Sequence, residues 1–399
     1  MHPADEIRGI KSNILAKKKI VLAITGSIAA VETVKLAREL IRHGAEVIPV
    51  MTHAATKIIH PDSVWFATGK KPIIDLSGDT EHVKYCGNVE DPADLLLISP
   101  CTANTISKIA HGIDDSSVTT FASTAIGANH PIIVVPAMHQ SMYDHSIVQK
   151  NIEVIKSKGI IFIDPFIERN KAKMASIDDI VNYVMRAIGP RDVYKKKILI
   201  IGGACCEPID EVRSICNHSS GKTAVSLAKT AFRRGAEVIL WYGISSEVVP
   251  AFIEKRNFRS IKEVQQFVIN TDLHKYDIII VCAALSDYIP LKKNEKLSSE
   301  MSQLSITLNK ADKILPLIRE RAEKAILIGF KLDINEKTVI QKAQKMKSQY
   351  ALDLVIGNTI SAINSTTTNA WILKGSNIIP ITATKQEVSE ALFDMIISK

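Results

Sequence analysis

The chain of 399 residues lacks most of the features that would place it in a familiar class at once. Its six cysteines (86, 101, 205, 206, 216 and 282) form no CxxC pair and no zinc spacing, and read as reduced thiols of an intracellular protein. No run reaches the roughly 18 apolar residues of a membrane span, and residues 1–15 have no apolar core of the signal-peptide kind. These absences predict a soluble, cytoplasmic protein. No GxGxxG is present: the two strand-end turns read TGSIAA and GGACCE, which excludes ordinary dinucleotide binding. HSSGKT resembles the end of a phosphate loop, but that motif needs glycine at position 216, which is Cys216. Acidic residues number 42 against 50 Lys and Arg, a net charge of +8. The excess is scattered in short runs such as Lys17–Lys19 and Lys195–Lys197. That is a solvated surface suited to anionic small molecules, and it does not indicate nucleic acid.

What is present is a repeat. KKKIVLAITGSIAAVETVKLARELIRHGAEV and KKKILIIGGACCEPIDEVRSICNHSSGKTAVSLAKTAFRRGAEV share a basic triplet, an apolar strand, a glycine turn, an amphipathic helix and GAEV leading into another strand. Val31, Val34, Leu40 and Ile41 give the first helix its apolar stripe, and Ala224, Leu227, Ala228, Ala231 and Phe232 the second. This is βαβ logic used twice. It predicts two α/β, Rossmann-like three-layer domains with parallel sheets, residues 1–190 and 191–399, divided at Gly189–Pro190. Further strands are expected at 94–100, 131–138, 277–288, 325–330 and 353–358, and a helix from Thr338 to Tyr350. The second copy is longer by about thirteen residues between strand and helix, where ligands bind in such sheets, so the polar insertion is read as functional.

In the first half, TGSIAA places Ser27 at a helix start, where free N–H groups and the helix dipole favour phosphate. Thr52, the segment PCTANTISKIAHG and PAMHQSMY mark other strand ends. Together with His82 in TEHVKY, this constellation resembles the flavin-containing cysteine decarboxylase family. The resemblance implies a flavodoxin-like flavoprotein domain with FMN bound by Gly26, Ser27, Ile28, Thr52, Thr102, Asn104, Thr105 and Met138. It implies that His82 is the active-site base and that His139, where the family has Asn, holds the substrate carboxylate. A cysteinyl carboxylate has no sink for the carbanion left by loss of CO₂. Oxidation of the thiol side to a thioaldehyde provides one, and decarboxylation then leaves an enethiolate. The family's flap cysteine is absent: no Cys lies between Cys101 and Cys205, and residues 166–176 are the flap counterpart, with Lys171 and Lys173 suited to a substrate phosphate.

The insertion in the second half, GGACCEPIDEVRSICNHSSGK, resembles the phosphopantothenate–cysteine ligase signature, retaining Glu207, Pro208, Asp210, Arg213, Asn217, Ser219, Ser220, Gly221 and Lys222. CAALSDY (282–288), NEKLSSE (294–300) and IGFKLD (328–333) follow in the family's order. By resemblance Asn217 and Lys296 are catalytic, at the acyl-nucleotide and the phosphates. Arg213, Ser219, Ser220 and Lys222 bind substrate, and Ala283, Asp287, Phe330, Lys296 and Lys345 bind nucleotide. A carboxylate is a poor electrophile, so it is activated by a nucleotide, with CTP and Mg²⁺ expected. No residue is assigned to the metal. A helix cap by Asn217 and Ser220 is compatible local chemistry.

The resemblance spans residues 18–399 and implies a bifunctional enzyme of coenzyme A biosynthesis. It would join 4'-phosphopantothenate to cysteine and decarboxylate the product to 4'-phosphopantetheine. Trimers of the decarboxylase and dimers of the ligase, combined in a dodecamer, are the implied homo-oligomer. The alternative is a live ligase beside a structural or regulatory flavoprotein half.

Overall fold

The computed structural model describes residues 2–169, 171–293, 295–297, 303–362, 365 and 367–398. The chain forms two compact units, Met1–Pro190 and Arg191–Lys399.

The first unit contains β1 (Lys19–Ile24), α1 (Thr33–Arg42), β2 (Glu46–Met51), α2 (Glu81–Cys86), β3 (Leu95–Cys101), α3 (Ala103–His111), α4 (Ser117–Gly127), β4 (Ile132–Pro136), β5 (Met138–His139), α5 (Ser146–Ser157), β6 (Ile161–Phe162), β7 (Phe166–Glu168), β8 (Lys171–Lys173) and α6 (Ile177–Ile188). The apolar runs of β1, β3 and β4 are buried on both faces, as parallel strands covered by helices require. Ile20, Leu22 and Ile24 face one core with Leu36 and Leu40 of α1 and Val184 of α6. Val21 and Ala23 face the other with Phe121 of α4 and Ile152 of α5. The parallel order β2-β1-β3-β4-β6 reverses direction between β1 and β3, the flavodoxin-like arrangement. Val31 does not join the α1 stripe. It lies in the preceding 3₁₀ turn Ile28–Glu32 and is 48% exposed, because the α-helix and its phase begin only at Thr33.

The second unit contains β9 (Lys197–Gly202), β10 (Cys206–Pro208), β11 (Ser214–Cys216), α7 (Lys222–Arg233), β12 (Glu237–Tyr242), β13 (Glu254–Asn257), α8 (Ile261–Asn270), β14 (Ile278–Val281), β15 (Tyr288–Pro290), β16 (Leu308–Lys310), α9 (Ile314–Arg321), β17 (Ile326–Asp333), α10 (Glu336–Gln349), β18 (Leu354–Thr359), β19 (Thr367–Lys374), β20 (Asn377–Thr384) and α11 (Lys385–Ile397). Its sheet runs β13-β12-β9-β14-β17-β18-β19-β20. The expected parallel sheet runs from β13 to β18, and two strands not foreseen in the sequence extend it: β18–β19 and β19–β20 pair antiparallel. Lys374 pairs with Asn377 across a tight turn at Gly375, φ +58°, and so short a connection permits only antiparallel pairing.

The repeat is structural. Gly44 and Gly235 end the two first helices with φ of +101° and +96°, values that favour glycine. The basic triplets are tied down as well. Lys18 Nζ lies 2.7 Å from Asp94 and Lys19 N–H donates to the same carboxylate, while Lys196 and Lys197 meet Asp277 in the same way at 2.8 and 2.9 Å. Each aspartate sits at the entry to the sheet's next parallel strand, so the repeat extends one strand further than the sequence pattern indicated. Among the described residues, no helix is long and apolar enough to cross a membrane.

Candidate functional site

Each unit has a cavity where its strand order reverses. In the first unit the loops after β1 and β3 open on a space of about 770 Å³ lined by Gly26, Ser27, Ile28 and Thr102, with Met138 and His139 of β5 along the wall. Ser27 caps the 3₁₀ turn, and its hydroxyl donates to the Ala137 carbonyl at 3.3 Å, tying the β1 loop to the β4–β5 loop. Thr102 caps α3 and contacts the Thr105 hydroxyl at 3.1 Å; its N–H donates to Thr25. Thr52 caps the turn His53–Thr56, accepting from Ala55 N–H. Thr52, Asn104 and Thr105 do not line this cavity; Asn104 is exposed and Thr105 buried. The flap counterpart folds as the antiparallel pair β7 and β8, with β8 in turn paired to β5, and residues 171–176 close one side of the cavity. Asn170 within it lies outside the described residues. His139 Nδ1 is 2.8 Å from Ser141 Oγ, at the start of a short helix.

His82 stands apart. It lies on α2 and does not line the cavity, and its buried Nδ1 has no hydrogen-bond partner among the described residues.

In the second unit the long loop after β9 is a hairpin. Cys206 pairs with Cys216 across β10 and β11, and the two form a disulfide. This corrects the expectation of six reduced thiols. Ten residues apart, the two cysteines did not read as a pair, but the antiparallel register sets them opposite each other. The free cysteines are Cys86, Cys101, Cys205 and Cys282. Burial pushes Cys86, Cys205 and Cys282 up to about 12 and Cys101 higher still, so none supplies a thiolate at neutral pH.

Asp210, 2% exposed, organises the hairpin. It accepts N–H bonds from Leu297, Val212 and Arg213 and an ion pair from the Arg213 guanidinium at 2.9 Å. These donors, with the Leu297 N–H foremost, hold its pKa at about 2. Arg213 also donates to the Leu297 carbonyl at 3.0 Å. The arginine expected at the substrate therefore anchors the loop to residues 295–297 and lines neither cavity of this unit. Lys296 in that segment is exposed and likewise lines neither; Asn294 and residues 298–300 of the same motif lie outside the described residues.

The hairpin delivers Asn217 to the switch point between β9 and β14. Its Nδ2 donates to the Ala284 carbonyl at 3.0 Å, joining the β9 loop to the β14 loop. Gly221, not Asn217 or Ser220, precedes α7, and no side chain caps the helix. At its φ of +78° an added Cβ would lie 2.0 Å from the Tyr242 hydroxyl, so the helix start requires glycine. Ser219, Ser220 and Lys222 line a cavity of about 140 Å³ at that start. A wider cavity of about 600 Å³ adjoins it and brings together Asn217, Ala283, Asp287, Phe330 and Lys345. Both are lined by His218, Ala283, Ala284, Phe330 and Leu332. Sequence reasoning missed three lysines of the wide cavity: Lys331, Lys342, in an ion pair with Asp333, and Lys313, in an ion pair with Asp287. Lys342 had a legible signal, standing three residues before Lys345 on the same helical face. Lys313 had none.

The molecule is thus a two-site α/β protein. One site is an apolar cavity with hydroxyls at its switch point, and the other is a pair of adjoining cavities ringed by lysines. Residues 9–189 match the Flavoprotein family and residues 193–399 the DNA/pantothenate metabolism flavoprotein C-terminal domain. The chain is 44% identical over 404 residues to the coenzyme A biosynthesis bifunctional protein CoaBC of Thermococcus kodakarensis, covering 99% of each. It is 38% identical over 406 residues to that of Methanocaldococcus jannaschii, covering 99% of this chain and 97% of the relative. Among solved structures, the DNA/pantothenate metabolism flavoprotein of Streptococcus pneumoniae is 28% identical, covers 50% of this chain and 98% of its own, and gives a TM-score of 0.46. The chain belongs to the CoaBC family of bifunctional coenzyme A biosynthesis enzymes.

Proposed function

We propose that the second unit joins 4'-phosphopantothenate to cysteine through a CTP-derived acyl-cytidylate, and that the first unit decarboxylates the product with FMN. The observation that carries this reading is convergence. Residues from loops far apart in sequence meet at one switch point in each unit, Ser27 with Thr102 and Asn217 with Ala283.

In the second unit, Lys345, Lys342 and Lys313 offset triphosphate charge, and the Asn217 amide faces the activated carbonyl. Mg²⁺ would be carried on the phosphate oxygens of the nucleotide, the ligands it ordinarily takes in such sites.

In the first unit, the apolar wall of Ile28, Met138 and Met142 fits a flavin ring. Ser27 and the loop N–H groups fit its phosphate. FMN supplies the oxidation that gives the leaving carboxylate an electron sink. His139, Lys171 and Lys173 line the cavity where a carboxylate and a phosphate would be held. His82 does not reach the cavity of its own chain, so a second copy supplies the base. A trimer of this unit with a dimer of the other would close as a dodecamer.

The test is mass spectrometry of products from purified, FMN-bound protein given 4'-phosphopantothenate, cysteine, CTP and Mg²⁺. Formation of 4'-phosphopantetheine is expected. Accumulation of 4'-phosphopantothenoylcysteine or its enethiol would overturn the decarboxylase reading, and absence of any product, with ATP also tried, would overturn both.

A further inference from the structure

The small cavity at the start of α7 has a wall from the far end of the chain. Helices α7 and α11 lie side by side, joined by Ser226 Oγ to Ser389 Oγ at 3.0 Å, Thr230 to Glu390 at 3.3 Å, Arg234 Nε to Glu390 at 3.1 Å, and Arg234 to Asp394. Partners ascend together along both helices, so the helices are parallel and in step. Lys222 opens α7 and Lys385 opens α11, each four residues before the serine that joins it to the other helix. Both lysines line the same cavity with Ser219 and Ser220.

Neither ammonium group has a hydrogen-bond or ion-pair partner among the described residues. The carboxylate nearest in sequence to Lys385, that of Glu387, is committed to Thr384, accepting from its N–H and its hydroxyl at 2.8 Å. Glu247 acts on Lys385 only at longer range. Burial, and then the Lys222 charge, push the Lys385 ammonium below its ordinary pKa. Two unpaired cations held in one pocket repel each other unless an anion lies between them. Here the first N–H groups of two helices add to the positive field.

We propose that Lys385 of the C-terminal helix is a substrate-binding residue which, with Lys222, grips a phosphate group of a ligase substrate. This rests on the ligase reading of the second unit. The phosphate is either the triphosphate of the nucleotide or the monophosphate of 4'-phosphopantothenate, since the cavity adjoins the wider one proposed to hold the nucleotide and the activated carbonyl.

The test uses the full chain with Lys385→Gln and Lys385→Arg. Loss of one charge-assisted contact is expected to lower kcat/KM for one phosphorylated substrate roughly tenfold in Lys385→Gln, with kcat/KM for cysteine changing less than threefold and Lys385→Arg recovering most of the loss. A rise in the KM for CTP assigns the triphosphate; a rise in the KM for 4'-phosphopantothenate assigns the monophosphate. Unchanged constants for both, or equal loss for all three substrates, would overturn the proposal. Calorimetric titration with inorganic pyrophosphate and inorganic phosphate gives a readout independent of catalysis. Wild type should bind one of them and Lys385→Gln bind it more weakly, even if the wild type shows no ligase activity and the ligase reading itself falls. Equal binding by both proteins would sink the proposal.

Discussion

Asp210 shows how one side chain can carry a loop. It is buried, charged and satisfied by three backbone N–H groups and Arg213. Its pKa, about 2 against an ordinary 3.8, is depressed. The stabilisation is therefore complete above pH 3.8 and is lost as pH falls through about 2. Hydrogen exchange of residues 206–217 should rise across that window, and Asp210→Asn should abolish the step while raising exchange at neutral pH. The disulfide is checked directly. Alkylation of the denatured protein should label four thiols without reductant and all six with it, and six labelled in both cases would mean Cys206 and Cys216 are reduced. At the sites, His82→Asn should reduce decarboxylation about 100-fold or more and leave ligation intact. Asn217→Ala should do the reverse, costing ligation roughly 100-fold to 1,000-fold. The two assays run on one preparation check both variants.

At the scale of elements, α11 stays in step with α7 through Arg234, whose guanidinium is 8% exposed and meets Glu390, Asp394 and Asp192, the last at 3.1 Å. Its pKa is driven two ways: burial lowers it, and the Asp394 hydrogen bond with the surrounding carboxylates raises it further, so it remains charged. Arg234→Ala removes a cation shared by three partly exposed carboxylates and should destabilise the second unit by about 1–3 kcal/mol. Calorimetry should show the corresponding drop in its unfolding temperature. If Lys385 grips phosphate, the same change should also weaken pyrophosphate binding, since α11 would lose its register with α7.

At the scale of the whole molecule, the repeat builds the same device twice. A basic pair holds the aspartate before the sheet's next parallel strand, a left-handed glycine ends the first helix, and a cavity opens where the strand order reverses. The two copies then diverge in their β1 and β9 loops, one short and lined with small residues, the other a disulfide-closed hairpin. Sedimentation of the native protein tests the assembly proposed from the absence of His82 among the residues lining its own unit's cavity. A monomer would leave that histidine without a cavity and remove its proposed role.

Much of this was legible in the sequence because it is local. Apolar runs, the period of each helix and the GAEV ends fix strands and helices through backbone and burial alone, and signatures such as TGSIAA and SSGK lie within one loop. The register of β10 on β11 was not legible, since the pairing of Cys206 with Cys216 depends on how the hairpin folds back. Nor was the role of Arg213, which only its proximity to Asp210 and Leu297 decides. The meander of β18 to β20 was set by a tight turn within an apparently parallel pattern. Lys313 and Lys385 stand far along the chain from the loops they face, and only packing of helix on helix and strand beside strand brings them there. The sequence by itself determined which elements form and which loops carry chemistry, because those follow from short-range periodicity. Tertiary structure alone decided which charges share a cavity, because that depends on contacts between residues distant along the chain.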